Sequence, residues 1–238
     1  MDSAGFVTLN RQAGLLKELE TVAQNIANIS TDGYRREGVV FSEFVVSSGL
    51  NGDSISMAHA SGRISDLSQG GLKQTNGTYD FAIEGEGFFL VATPDGNRLT
   101  RAGSFTPSPE GLLVASDGAS LLDTGGAPVF VPAGAADIKV GADGTVSADG
   151  APIAQIGLWQ PADPLEMTRA HGVRFEAGDA PVPVENGQIL QGFLEHSNVN
   201  PVSELKRMIE VQRAYELGQT FLDREDERVR AAIRTIGQ

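Results

Sequence analysis

Proline is confined to the middle of this 238-residue chain. All 11 prolines lie between Pro94 and Pro201, so the first 93 residues and the last 37 contain none. Because proline removes a backbone hydrogen-bond donor and interrupts a helix, the two ends are free to form long helices. The distribution predicts three regions, with the proline-containing region between two uninterrupted ends.

The N-terminal region has the apolar spacing of a helix from Phe6 to Ile29. Its apolar residues step by four or three and fall on one narrow face: Leu15, Leu19, Val22, Ile26 and Ile29. The face ends at Asn28 and the following residues to Gly33, where Asn and Gly can adopt the left-handed conformation that closes a helix. Residues 1–36 are therefore predicted to form the first helix and its exit.

The C-terminal region predicts a second helix within residues 193–238. Asn200-Pro201 supplies an N-cap and a first helical residue. An apolar column then recurs every seven residues, with Leu205 and Ile233 beside it: Met208, Tyr215, Leu222, Val229 and Ile236. A heptad column predicts a supercoiled seam, although Gln212, Gln219 and Asp226 interrupt the second column, so that an identical two-stranded zipper is disfavoured.

Two amphipathic helices have too little core of their own unless they pair with each other or with other subunits. Between them, residues 80–192 contain short apolar runs separated by turn signals. The four Asp-Gly pairs that begin at Asp95, Asp117, Asp143 and Asp149 predict hairpins. Residues 37–79 are mostly small and polar and predict an extended connector. The predicted fold is α+β, a coiled-coil-like α domain built from both ends with an inserted antiparallel β domain.

The net charge of −13 belongs to the middle of the chain. Residues 1–36 carry four acids and four bases and residues 202–238 carry seven of each, which leaves 20 acids and 7 bases between them. An acidic chain of this kind argues against a nucleic-acid partner, since phosphate binding needs a basic face. The absence of cysteine excludes disulfides. No Sec signal peptide is predicted at the N-terminus, and no segment reaches the roughly 20 apolar residues of a membrane span.

Residue patterns that support catalysis or metal binding are weak. The three histidines, at 59, 171 and 196, show no metal-ligand spacing. Gly85-Glu86-Gly87 begins like a dinucleotide-binding fingerprint but leads into an apolar strand. The Asp143 and Asp149 pairs fit hairpin corners better than a calcium loop, and residues 223–228 fit a solvated helical face. No catalytic residue, cofactor or metal site is predicted.

Three stretches resemble the bacterial flagellar rod and hook protein family. The first, near the N-terminus, is similar to the family run A-N-N-x-A-N-x-x-T-x-G-[YF]-[KR]: Gln24-Asn25-Ile26-Ala27-Asn28-Ile29-Ser30-Thr31-Asp32-Gly33-Tyr34-Arg35-Arg36. The second comprises Thr75-Asn76, residues 80–89 (Asp-Phe-Ala-Ile-Glu-Gly-Glu-Gly-Phe-Phe) and residues 100–106. The third runs from Leu194 to Asn200 and continues through Glu204, Met208-Ile209 and residues 212–216.

The resemblance implies a non-catalytic structural subunit that assembles helically into the rod and transmits torque. It also implies export through the flagellar type III apparatus without a cleaved signal peptide, location in the periplasm-spanning basal body, and partners among other rod subunits and the surrounding rings. The short length and the opening Met1-Asp2 favour the proximal rod subtype. The alternatives are a distal rod or hook-like subunit, and a secreted adhesin or enzyme domain carried on export helices.

In this family the terminal helices of neighbouring subunits form an inner tube around the export channel, and the β domain faces outward. The resemblance therefore implies that apolar side chains of both helices pack between subunits, that three residues shape the exit of the first helix, and that Arg213 and Glu216 make polar contacts. The complete predicted interface is Leu15, Leu19, Val22, Asn25, Ile26, Asn28, Ile29, Gly33, Leu205, Met208, Gln212, Arg213, Tyr215, Glu216, Leu222 and Val229.

Overall fold

The computed structural model describes residues 3–47, 54–184 and 187–236. It has the predicted α+β fold, with two long helices and many short antiparallel strands. The chain forms two compact units. The helical unit comprises Met1–Asn28, Arg36–Asp66 and Val199–Gln238, and the β unit comprises Ile29–Arg35 and Leu67–Asn198. Their boundaries differ from the predicted ones, because segments distant in sequence join each unit.

Helices α1 (Ser3–Ala27) and α2 (Pro201–Ile236) pair with each other in the helical unit. Gln12 Nε2 donates a 2.8 Å hydrogen bond to the backbone oxygen of Tyr215, and Arg207 Nε donates at 2.5 Å to Glu18 Oε1. Since the later residue of α1 meets the earlier residue of α2, the helices run antiparallel. Pairing gives each helix part of the core that it lacks alone.

The predicted start of α2 is confirmed, and α1 runs from Ser3 to Ala27, close to the predicted Phe6 to Ile29. Helix α2 begins at Pro201, and Asn200 Oδ1 accepts hydrogen bonds from the backbone nitrogens of Val202 at 3.0 Å and Ser203 at 3.1 Å. Helix α1 ends at Ala27. Gly33 follows with a φ of 72°, in the left-handed region that favours glycine.

The N-cap provides a first prediction. Replacing Asn200 with alanine removes the acceptor for two backbone donors at the first turn of α2 and should lower the free energy of unfolding by about 1 kcal/mol. Denaturant unfolding followed by the circular dichroism of the helices measures this change. Asn200→Ser, which restores a capping oxygen, should recover most of the loss, and equal losses in both variants would contradict the capping role.

The predicted connector over residues 37–79 is wrong for most of its length. Strands β1 (Glu37–Ser47) and β2 (Ser54–Ser65) pair as two long antiparallel strands, and residues 48–53 of the predicted connector lie outside the described residues. The many small polar residues hid the β-branched and aromatic run from Val39 to Phe41, which favours a strand. Both strands contact α1. A Cβ at Gly14 would lie 2.8 Å from Phe41 Cε1, so glycine is what permits this close approach.

The β unit contains the remaining strands. Their bounds are β3 (Leu72–Gln74), β4 (Phe81–Glu84), β5 (Phe88–Thr93), β6 (Gly96–Thr100), β7 (Thr106–Pro107), β8 (Leu113–Val114), β9 (Ser120–Leu121), β10 (Ile138–Val140), β11 (Thr145–Ala148), β12 (Ala151–Gln155), β13 (Leu158–Gln160), β14 (Thr168–Arg169), β15 (Arg174–Glu176), β16 (Val182–Pro183), β17 (Gln188–Gln191) and β18 (Phe193–Glu195).

The main sheet has the order β14-β15-β6-β5-β9-β8-β7, and β13 pairs with both β5 and β16. A second sheet has the order β10-β11-β12, and two further pairs join β4 to β17 and β3 to β18. The β3–β18 pair lies outside the predicted limits of 80–192, so residues 193–195 are strand and not part of the C-terminal helix. All four Asp-Gly pairs occupy hairpin turns, as predicted.

The core of the β unit is apolar and aromatic. The Phe105 ring lies 5.9 Å from the Phe89 ring in an edge-to-face arrangement and 6.1 Å from the Phe81 ring. All three side chains are buried, together with Ile83 and Val91 from the same strands. Edge-to-face aromatic pairs add to the stabilisation that burial of their area provides. The centre of the unit is therefore a packed core.

Candidate assembly surfaces and buried ion clusters

The predicted interface residues of α1 are largely covered within the chain. Val22 and Asn25 are buried, and Leu15, Leu19 and Ile26 are half-buried. Asn28 follows the end of α1, and its Nδ2 donates a 2.8 Å hydrogen bond to the backbone oxygen of Gln24. Ile29 and Gly33 belong to the β unit. Much of the predicted face of α1 is thus used inside the chain.

The predicted heptad column of α2 divides into two parts. Met208, Tyr215 and Leu222 are half-buried, whereas Val229 is 42% exposed. The other predicted residues of α2 are all exposed: Leu205, Gln212, Arg213 and Glu216. The side chains of the heptad column are therefore half-buried over its first three residues and exposed at Val229.

A second apolar row on α2 was missed by the heptad interpretation. Leu205, Ile209, Leu217 and Phe221 recur at multiples of four residues, and Arg213 fills the one gap. All four apolar side chains are exposed, Leu217 by 72%. Each step of four residues turns the row by only about 40°, so neighbouring members lie close together on the helix surface, and contiguous exposed apolar side chains mark an interaction surface. We call these four residues the exposed row; their fourfold spacing was visible in the sequence.

A buried polar cluster fixes the exit of α1 within the helical unit. Asn25 is fully buried; its Oδ1 accepts from the backbone nitrogen of Glu37 at 2.9 Å, and its Nδ2 donates to the backbone oxygen of Glu37 at 2.8 Å. The same Nδ2 lies 3.1 Å from Glu204 Oε2, and Arg36 Nε donates to Glu204 Oε1 at 2.5 Å. Asn25 therefore ties α1 to both β1 and α2.

A buried ion cluster lies within the β unit. Arg35 Nη2 is 2.7 Å from Glu195 Oε1, Arg101 Nη1 is 3.0 Å from Glu195 Oε2, and all three side chains are almost completely buried. Gly70 also donates its backbone N–H to Glu195 Oε1 at 2.7 Å. Burial lowers the pKa of Arg101, and the neighbouring Arg35 adds to this effect while Glu195 opposes it. One carboxylate thus holds two guanidinium groups.

The sequence did not point to this cluster as a site. Arg35 and Glu195 lie within the signature stretches, but their types and spacing carry no sign that they meet. The separation of 160 residues between them makes the contact a property of the fold. The same holds for Glu204, which contacts Asn25 from the far end of the chain.

Gly33 is the predicted residue with the tightest surroundings. A Cβ built at this position would lie 2.2 Å from the backbone nitrogen of Ala102. Its own backbone N–H donates at 2.7 Å to the backbone oxygen of Glu195. Backbone atoms form both contacts, so neither can move aside as a flexible side chain could.

Gly33→Ala should therefore destabilise the β unit by about 2–3 kcal/mol through the clash and the unfavourable φ. Unfolding of the β unit can be followed by the fluorescence of Trp159, the single tryptophan. Gly118→Ala is a matched control, because Gly118 also has a positive φ but has no atom within 4 Å of an added Cβ. Similar losses in the two variants would show that φ alone, and not the approach of Ala102, accounts for Gly33.

Across the described ranges, no cluster of three or more His, Asp or Glu side chains could hold a metal ion. His196 Nδ1 lies 2.9 Å from Asp32 Oδ1 as a pair. Over the same ranges, neither helix has the length of apolar sequence that crossing a membrane requires.

Three family models match separate stretches of this chain. The family model described as "Flagella basal body rod protein" matches residues 8–35. The "Flagellar hook protein FlgE/F/G D1 domain" matches residues 82–148, within the β unit. The "Flagellar basal body rod FlgEFG protein C-terminal" model matches residues 190–235.

Individual relatives match over most of the chain or all of it. The flagellar basal-body rod protein FlgF of Caulobacter vibrioides is 39% identical over 244 residues, which cover 100% of this chain and 99% of that protein. FlgF of Mesorhizobium japonicum is 36% identical with the same coverage. The flagellar basal-body rod protein FlgG of Bacillus subtilis is 30% identical over 88% of this chain and 90% of its own.

Paired terminal helices with an exposed apolar row, an inserted antiparallel β unit and end-to-end matches define a bacterial flagellar axial protein. The chain belongs to the flagellar basal-body rod protein family. It is a structural subunit of the basal-body rod, and it resembles FlgF more than FlgG in both identity and coverage. The resemblance inferred from the signature stretches is confirmed.

Proposed function

We propose that the chain is a proximal rod subunit of the FlgF type that assembles helically into the drive shaft. In this proposal the helical units of neighbouring subunits pack into an inner tube around the export channel, and the acidic β unit faces outward. The subunit is non-catalytic, transmits torque, reaches the periplasm-spanning rod through the type III export apparatus without a cleaved signal, and contacts other rod subunits and the surrounding rings.

The exposed row of α2 is the observation that carries the assembly mode. Helix pairing covers one side of α2, where Val211 is 2% exposed, and leaves Leu205 51% and Ile209 49% exposed. Apolar area of this kind gains about 25 cal/mol per Å² when another surface covers it. Coiled-coil-like packing of the half-buried column, including Met208 and Tyr215, against neighbouring helices is part of the same proposal.

The charge distribution supports the same arrangement. Both helical ends are neutral in net charge, and the acidic excess lies between residues 37 and 201. Uncompensated charge is costly to remove from water, whereas an outward-facing surface keeps its charges hydrated. The helical ends therefore suit an inner, covered position.

Complementation tests this proposal. A strain that lacks the gene should regain motility with the unaltered protein but not with Leu205→Asp/Ile209→Asp, because two carboxylates in the exposed row prevent its burial between subunits. Leu165→Asp is the control, since Leu165 is 82% exposed in the β unit. Normal motility with the double variant would contradict the proposal, provided that the variant protein accumulates to the level of the unaltered protein.

Two alternatives make different predictions. A distal rod or hook-like subunit would leave a complete proximal rod in the deletion strain. A secreted adhesin or enzyme domain would leave the basal body intact. The match to FlgF over the full length favours the proximal assignment over both.

A further inference from the structure

The last third of α2 extends beyond the start of α1. Gln12 lies opposite Tyr215, and the helices are antiparallel with equal rise per residue. Helix α1 is described from Ser3 onward, and Ser3 is therefore level with about residue 224 of α2. Residues 226–235 are exposed without exception. We call residues 225–236 the overhang.

The overhang retains an apolar face despite its exposure. Val229 is 42% exposed and Ile233 is 64% exposed, and their spacing of four places them on one side of the helix. Since α1 does not reach this stretch, nothing in the described chain lies over that face. The apolar face suits a surface on another molecule.

An apolar groove lies between the two helices immediately before the overhang. It has a volume of about 350 Å³ and is lined by Thr8, Arg11 and Leu15 of α1 and by Ala214, Leu217 and Phe221 of α2. The α2 side of the groove includes two residues of the exposed row. The groove therefore continues the surface that the proposed function assigns to assembly.

The charges at the groove and on the overhang are complementary. Arg11 lines the α1 side of the groove, and Arg213 lies on α2 one turn before Leu217. Both are exposed, and neither forms an ion pair among the described residues. At about 100° per residue, Glu225 and Asp226 lie about 40° and 60° from Val229, on opposite edges of the apolar face. Arg228 and Arg230, which pair with these two carboxylates within the helix, each lie about 100° from Val229 and so outside the apolar face.

We propose that the overhang of one copy binds in the groove of a second copy of this chain. Val229 and Ile233 cover Leu217 and Phe221 of the neighbour, and the flanking carboxylates reach its Arg213 and Arg11. The inference rests on the proposed rod function, to which it adds a specific contact between copies. Because the overhang and the groove are different surfaces, the contact is head-to-tail and leaves one of each free for further copies.

The proposal fixes an axial displacement between copies. Placing Val229 beside Leu217 of the neighbour shifts the two α2 helices by 12 residues, or about 18 Å at 1.5 Å per residue. The same shift places Glu225 beside Arg213 and Ile233 beside Phe221. One displacement therefore satisfies both the apolar and the charged contacts.

Engineered disulfides test the contact cleanly because the chain has no cysteine. In the Leu217→Cys/Val229→Cys variant the two sulfurs are about 18 Å apart within one rigid helix, so that a disulfide, which needs Cα atoms within about 7 Å, can form only between copies. Mild oxidation of the full chain should give a ladder of covalent dimers, trimers and longer products. The Val202→Cys/Val229→Cys control, at the 74% exposed Val202, should give at least about tenfold less product since its sites lie apart.

A second measurement uses no cysteine. Sedimentation at increasing concentration should show the unaltered protein forming oligomers, Val229→Asp remaining monomeric, and Val202→Asp behaving as the unaltered protein. Equal cross-linking in both cysteine pairs, or a monomeric unaltered protein at every concentration, would overturn the contact. Such a result would not contradict the proposed rod function, because the complementation test at Leu205 and Ile209 does not depend on the overhang.

Discussion

Replacing Glu195 with alanine should lower the free energy of unfolding of the β unit by about 3–5 kcal/mol, because it leaves buried charge without its partner. Arg35 and Arg101 both lose their carboxylate, and the N–H of Gly70 loses its acceptor. The Arg35 side chain is completely buried and that of Arg101 is 3% exposed, so both guanidinium groups have little access to water in the folded state. The loss is therefore larger than that of an exposed ion pair, for which about 1 kcal/mol is an upper value.

Denaturant titration followed by Trp159 fluorescence measures this effect, since Trp159 is in the same unit. Glu110→Ala is the control, because Glu110 is exposed, and its change should stay within about 0.5 kcal/mol. Glu195→Gln keeps the shape of the side chain and removes its charge, so it separates the ionic contribution from the packing. A loss in Glu195→Ala no greater than that of the control would contradict the structural role of the cluster.

Asn25→Ala should be the most damaging single change in the helical unit, with a loss of about 3 kcal/mol. The substitution removes both hydrogen bonds to the backbone of Glu37 and one to Glu204. Each partner remains buried and would be left short of a hydrogen bond. Since Asn25 joins α1 to β1 and α2, its loss weakens three elements together.

Thermal unfolding followed by the circular dichroism of the helices measures the loss, and Gln24→Ala is the neighbouring control. The Gln24 side chain is half-buried and accepts a 3.4 Å hydrogen bond from the exposed Arg63. Asn25→Asp adds a sharper test, because it places a carboxylate beside that of Glu204 and should be destabilised more at pH 7 than at pH 4. Equal unfolding temperatures for Asn25→Ala and Gln24→Ala would show that the cluster does not fix the exit of α1.

Local signals in the sequence predicted local structure well. Asn200-Pro201 marked the start of α2, and the Asp-Gly pairs marked hairpin turns, because each of these signals acts through its own backbone conformation. The paired strands β1 and β2 were missed because their composition resembles that of a loop. Only the pairing of Glu37 with Ser65 and the residues that follow shows them to be a sheet.

Contacts between distant parts of the chain could not be predicted. Arg35, Arg101 and Glu195 come from three separate segments, and Asn25 meets Glu204 across nearly the whole chain. Side-chain type shows that such groups need partners when buried, but not which partners the fold supplies. The exposed row is an intermediate case, since its fourfold spacing was present in the sequence but its exposure depends on which face α1 covers.

Imaging of basal bodies from a strain that lacks this gene tests the proximal rod assignment most directly. The assignment predicts a rod that stops within its proximal segment and carries neither a distal segment nor a hook, and full-length rods should return when the gene is restored. A complete proximal rod without a distal segment, a complete rod that lacks only the hook, or an unaltered basal body with a hook would contradict it.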